Sequence, residues 1–134
     1  MTTNSEIISD ALREIGVIAQ GAVADAAKAK EALRTLNRMA AVWAVNGIDI
    51  GYFSQTETTA DCPVPEWAEL AVISLLAANL APHYGQSVSM ELAGKAAFSY
   101  EQLQRESVKL NMKEMSMSKL NGGSGRYNIN TDEL

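Results

Sequence analysis

Between Pro65 and Gly85 the chain carries Trp67, Leu70, Ala71, Ile73, Leu76, Ala77 and Leu80, apolar on nearly every side of a helix. A helix of that kind needs neighbours all round and belongs at the centre of a fold. It is not a membrane span: Glu69, Ser74 and Asn79 interrupt it, and it falls short of the roughly 20 apolar residues a span requires. The spacing predicts a helix over 66–84, with Pro65 in its first turn and Pro82 and Gly85 ending it. Every other element must be arranged to cover it.

Three further amphipathic helices are available to do so. Thr3-x-x-Glu6 has the form of a capping box, and Ile7, Ile8, Ala11, Leu12 and Ile15 follow on one face, predicting a helix over 4–16 with Gly16 as a left-handed stop. Asp25 suits the N-cap of a second helix over 25–46, striped by Ala29, Leu33, Leu36, Ala40 and Trp43 and ended by Gly47. The last helix is expected over 89–117, with Ala93, Ala96, Tyr100, Leu103, Ser107 and Leu110 as its stripe. The fold class is therefore all-α: an antiparallel four-helix bundle around the third helix, with Trp43, Leu70, Ile73, Leu76 and Leu80 buried. At about 1.5 Å per residue the last helix spans roughly 43 Å. A compact chain of this length has a radius of gyration of only about 14 Å. The end of that helix is expected to project beyond the globule.

Two segments do not fit the helical pattern. Residues 47–65 form a long excursion with one short strand expected near Gly47-Ile48-Asp49-Ile50-Gly51-Tyr52-Phe53, and loops of this length are usually functional or ordered by a partner. Ile48, Ile50, Tyr52 and Phe53 would make an apolar patch too large for a lone subunit to expose, so they are expected to contact a neighbouring subunit. From Ser118 onward the chain is rich in Gly, Asn and Ser, and a flexible arm is expected over 118–134, distinct from a helical domain over 1–117. Lys119 and Arg126 supply charge there, and Tyr127 and Ile129 are apolar at alternating positions, suited to a partner's groove or sheet edge.

Chemistry is harder to find. The 134 residues carry a formal charge of −5, which argues against a protein built to grip nucleic-acid phosphates. Cys62 is the only cysteine and His83 the only histidine, so neither an internal disulfide nor a multi-histidine metal site can form, and no cofactor is expected. A single unpaired cysteine fits a reducing, intracellular setting. The opening residues have no basic region and no apolar stretch, so no targeting segment is expected. His83, beside Pro82 and Tyr84 at a helix end, is read as a surface or capping residue. Gly122-Gly123-Ser124-Gly125 lacks the strand, helix and lysine of a phosphate loop. Asp49, Glu57 and Asp61 share the excursion and could in principle hydrolyse a glycoside such as peptidoglycan. A small helical DNA-binding packaging factor is the other rival class. The favoured reading is that the protein is not an enzyme.

Three pieces, in order, carry a resemblance: Ala11-Leu12-Arg13-Glu14-Ile15-Gly16-Val17, then Trp43-x-x-x-Gly47-Ile48-Asp49-Ile50-Gly51-Tyr52, then Leu80-Ala81-Pro82-His83-Tyr84-Gly85. Together they resemble the tail accessory, or head-completion, proteins of short-tailed phages of the Salmonella podovirus type, over roughly residues 5–105. The resemblance implies a virion adaptor at the head-tail junction. It would be a twelve-membered ring beneath the portal protein that extends the DNA channel after packaging and offers a platform to downstream tail proteins. Duplex DNA would pass without specific binding. On that reading Lys119, Arg126, Tyr127 and Ile129 would meet the portal, and Ile48, Ile50, Tyr52 and Phe53 the neighbouring subunit.

Overall fold

The computed structural model describes residues 2–121, which are helical apart from connecting segments. Four α-helices follow one another: α1 (Asn4–Glu14), α2 (Ala26–Val45), α3 (Glu69–Leu80) and α4 (Met90–Asn121). The capping box at the start of α1 is formed. Thr3 accepts from the Glu6 backbone amide, and the Glu6 carboxylate accepts from the Thr3 amide. Bonds donated by the Thr3 amide and the Thr3 hydroxyl hold the Glu6 carboxyl below its ordinary pKa. Asp25 caps α2 by accepting from the Lys28 amide at 2.9 Å. Gly16, Gly47 and Gly85 all stand at positive φ just after helical segments, as left-handed stops do.

The apolar stretch 66–84 is not one uniform helix. Glu66–Ala68 and Ala81–Tyr84 are 3-10 turns that bracket α3. α3 packs against α1, α2 and α4, most extensively against α4, and so occupies the centre. Val72, Leu76 and Leu80 are fully buried in it, with Ile7, Ile8 and Leu12 of α1 and Leu36 and Trp43 of α2 in the same core.

Leu70 is a correction. It was expected inside and is 74% exposed. Ser74, Ala77 and Ala81 lie on the same side of the helix and are buried, so that side is covered from Ser74 onward but left open one turn earlier. Ile73 is half-buried against the core.

The strand expected in the excursion is also absent among the described residues. Only an isolated antiparallel bridge between Thr3 and Asp61 forms, flanked by backbone bonds from Asn4 to Ala60 and from Cys62 to Thr2. Residues 47–65 run as extended strap across the bundle.

Candidate functional site

The strap is held by buried and half-buried amides that the helical periodicity did not single out. Asn37, on α2, is the centre of the arrangement. Its Oδ1 accepts from the Tyr52 hydroxyl and from the Gln55 amide, and its Nδ2 donates to the Gln55 carbonyl at 2.9 Å. Fully buried Asn4 donates to Gln55 Oε1 and to the Glu57 carbonyl. At the other end, Ser107 of α4 accepts from the Asp49 amide at 3.1 Å, and Asn46 donates to the Tyr100 hydroxyl. Asp49 itself folds the turn by accepting from the Gly51 amide, where φ is +82°. These bonds satisfy a backbone that has neither helix nor sheet partners.

This binding decides the fate of the expected four-residue patch. Ile48 and Ile50 are buried in the chain's own core, and Tyr52 packs against it. The premise of a contiguous exposed cluster is corrected: Phe53 alone of the four points outward, 65% exposed. Gly47, at φ +81°, turns the chain at the end of α2, and the Ile48 amide then donates to the Trp43 carbonyl at 2.9 Å, which brings Ile48 back against that helix. Beside them lies an open cleft of about 440 Å3 lined by Ala40, Trp43, Ala44, Ile48, Ile50 and Tyr52. Burial raises the Tyr52 phenol above its ordinary pKa. Burial, and to a lesser degree the Glu69 carboxylate, push the Cys62 thiol up to about 11.

No constellation among the described residues has the form of an active site. Asp49 is tied to α4, Asp61 bridges to Thr3, and Glu57 is an exposed residue whose carbonyl serves Asn4. The three loop acids thus belong to different contacts. His83 lines a shallow depression with Glu31, Arg34, Thr35 and Arg38. No group of three His, Cys, Asp or Glu side chains could hold a metal ion among the described residues, and no helix there is long and apolar enough to cross a membrane.

The remaining expected site residues fall elsewhere. Lys119 stands on the last turn of α4, while Arg126, Tyr127 and Ile129 lie outside the described residues. Sequence reasoning passed over the outer face of α4, where Phe98, Val108 and Met112 are exposed. A second apolar period on that helix, opposite the first, was the available signal. Asn37 announced itself only as a polar residue next to Leu36 inside a helix, where asparagine is disfavoured.

The family model described as P22 tail accessory factor matches residues 1–133 of the chain. No curated protein matches it.

Proposed function

The chain belongs to the P22 tail accessory factor family, and from that premise we propose that it works as a head-to-tail adaptor. Membership makes it a structural, tail-associated protein of a phage virion that meets other virion proteins. On the finer reading it assembles as a ring of twelve beneath the portal after DNA packaging, extends the DNA channel, and presents the attachment platform for tail tube, nozzle, fibre or tailspike proteins. The observation that carries this is the extent of the family match, which runs over essentially the whole chain rather than one helix.

The physical reading supports it in two ways. The four helices are read as an antiparallel bundle whose last member outruns it: Ser107 is the last fully buried residue of α4 among those whose side chains are described, and the helix continues to Asn121. Those further residues extend roughly 21 Å at about 1.5 Å per residue. They carry the chain into the segment 118–134, whose Lys119, on the last turn of α4, and Arg126, Tyr127 and Ile129 are proposed to dock on the portal. Phe53, held out by the strap, is the remaining candidate of its group for contact with a neighbouring subunit, with Ile48, Ile50 and Tyr52 forming its base. A net charge of −5 suits a channel that must release DNA.

The test is binding to purified portal rings. The full chain is expected to add about twelve copies per portal by native mass measurement. Deleting residues 119–134 is expected to abolish that addition while leaving the helical circular dichroism intact. Undiminished binding by the truncated chain would refute the docking role of that segment, and no binding by the full chain would refute the adaptor reading.

A further inference from the structure

α2 carries Lys28, Lys30, Arg34 and Arg38 against a single acid, Glu31, in a chain whose formal charge is −5. Arg34 and Arg38 stand one turn apart on its exposed side. With Glu31, Thr35 and His83 they line an open depression of about 320 Å3. A second surface has the opposite sign. Two adjoining depressions share Thr2, Glu6 and Glu69, and Asp10 and Glu66 complete their acidic lining. Arg13, also in that lining, is taken up by Asp10 and the Ala22 carbonyl. Among the described residues, no ion pair involves Arg34, Arg38, Glu66 or Glu69. Each charged set runs on into an apolar side chain that the core leaves uncovered. Val42, four positions after Arg38, is 58% exposed, and Leu70, four positions after Glu66, is 74% exposed.

We infer that these two surfaces meet between neighbouring copies of the assembled ring, the α2 face of one copy seating on the acidic groove of the next. The inference rests on the adaptor reading and says which faces its subunits use. Two different faces that fit each other, and not themselves, make a head-to-tail contact, the kind that closes into a ring. Contacts between like faces are disfavoured: α2 on α2 sets arginine against arginine, and groove on groove sets carboxylate against carboxylate. The spacings also match. Arg34 and Arg38 are separated by about 6 Å along their helix and Glu66 and Glu69 by about 5 Å along theirs, so two guanidinium forks can each receive a carboxylate. A nucleic-acid backbone would satisfy the arginines but would give the acidic groove and Leu70 no partner. Exposed ion pairs are individually weak, so free subunits stay apart. On the portal, neighbours are held at high effective concentration, and the same contact makes filling of the ring cooperative.

The test is native mass measurement of purified portal rings titrated with the full chain, with circular dichroism on each variant to confirm the fold. One variant, Arg34→Glu with Arg38→Glu, reverses the α2 face; the other, Glu66→Arg with Glu69→Arg, reverses the groove. Each alone is expected to leave partly filled portals and to raise the concentration for half-filling at least about tenfold. Glu66→Arg by itself, on an exposed side chain, is expected to act in the same direction and covers the case in which the Glu69 change disturbs the fold. An equimolar mixture of the two double variants is expected to restore complete filling with about equal numbers of each, because alternating copies rebuild every pair of opposite charges. Wild-type filling by each variant alone would overturn the inference. So would a mixture that fails to recover, the result if α2 meets the portal or duplex DNA instead of a neighbouring copy. Both results leave the adaptor reading standing, whereas a wild-type chain that adds no copies to the portal would overturn that reading and this inference with it.

Discussion

Leu76 and Leu70 are the same residue type on the same short helix, and the fold treats them as opposites. Leu76 is fully buried where α3 meets its neighbours, so Leu76→Ala should cost about 2–5 kcal/mol by opening a cavity. Leu70→Ala should shift stability by no more than about 0.5 kcal/mol, as surface substitutions do. Urea unfolding of the two variants side by side checks both. Cys62 offers a prediction about pH. Its thiol is buried and its pKa is raised from 9.0 to about 11, so between those values the unfolded chain gives up a proton that the folded chain keeps. The stability it contributes is complete below pH 9 and is lost as pH rises toward 11. The raised Tyr52 phenol acts in the same direction. Unfolding midpoints taken from pH 8 to 11 should therefore fall, and fall less in Cys62→Ala. The same burial should make the native thiol slow toward alkylating reagents at pH 8 and fast once urea unfolds the chain.

Among the elements, the helix caps and the strap respond to different substitutions. Thr3→Ala removes one half of a complete capping box and should cost about 0.5–2 kcal/mol. The strap depends on Asn37. Asn37→Ala leaves the Gln55 amide and the Tyr52 hydroxyl without their acceptor and should cost about 1–3 kcal/mol. Tyr52→Phe removes a single bond and should cost about 1 kcal/mol. If hydrogen exchange at Gln55 and Gly51 accelerates in Asn37→Ala while the α3 amides stay protected, the strap opens as a local unit on a persisting bundle. Much of the helical layer was legible beforehand. The cap of α1, the Asp25 cap of α2, the glycine stops and the complete stripe from Ala29 to Trp43 follow from rules that act over a few residues. The strap was not legible, because its amides find partners dozens of positions away: Asn4 meets Gln55, and Ser107 meets Asp49.

For the whole molecule, the placement of function follows from what the bundle does not use. Among the described side chains, the core buries one face of α4 as far as Ser107 and leaves Phe98, Val108 and Met112 exposed on the outer face. It draws in Ile48 and Ile50 and leaves Phe53 out. Phe53→Ser should leave the melting temperature of the free chain within a few degrees of wild type, since the side chain packs on nothing substantial, and should lower the number of copies held on a portal ring. Unchanged copy number would remove the strap from subunit contact and leave the rest of the adaptor reading in place.

The sequence alone determined the helical class, the caps and stops, the centrality of the 66–84 stretch, the absence of a multi-histidine or disulfide framework, and a family resemblance borne out over residues 1–133. Each of these depends on local spacing or on counts, which a linear chain displays directly. The tertiary structure decided which apolar residues were spare. An apolar side chain looks the same in a sequence whether it will be buried by its own chain or left for another. Leu70 is exposed because its side of the first turn of α3 is left uncovered while Ala71 and Val72 on the same turn are buried, and Ile48 is buried where the turn at Gly47 returns the chain to the end of α2. Phe98, Val108 and Met112 lie outside because α4 has one core to face and two stripes with which to face it.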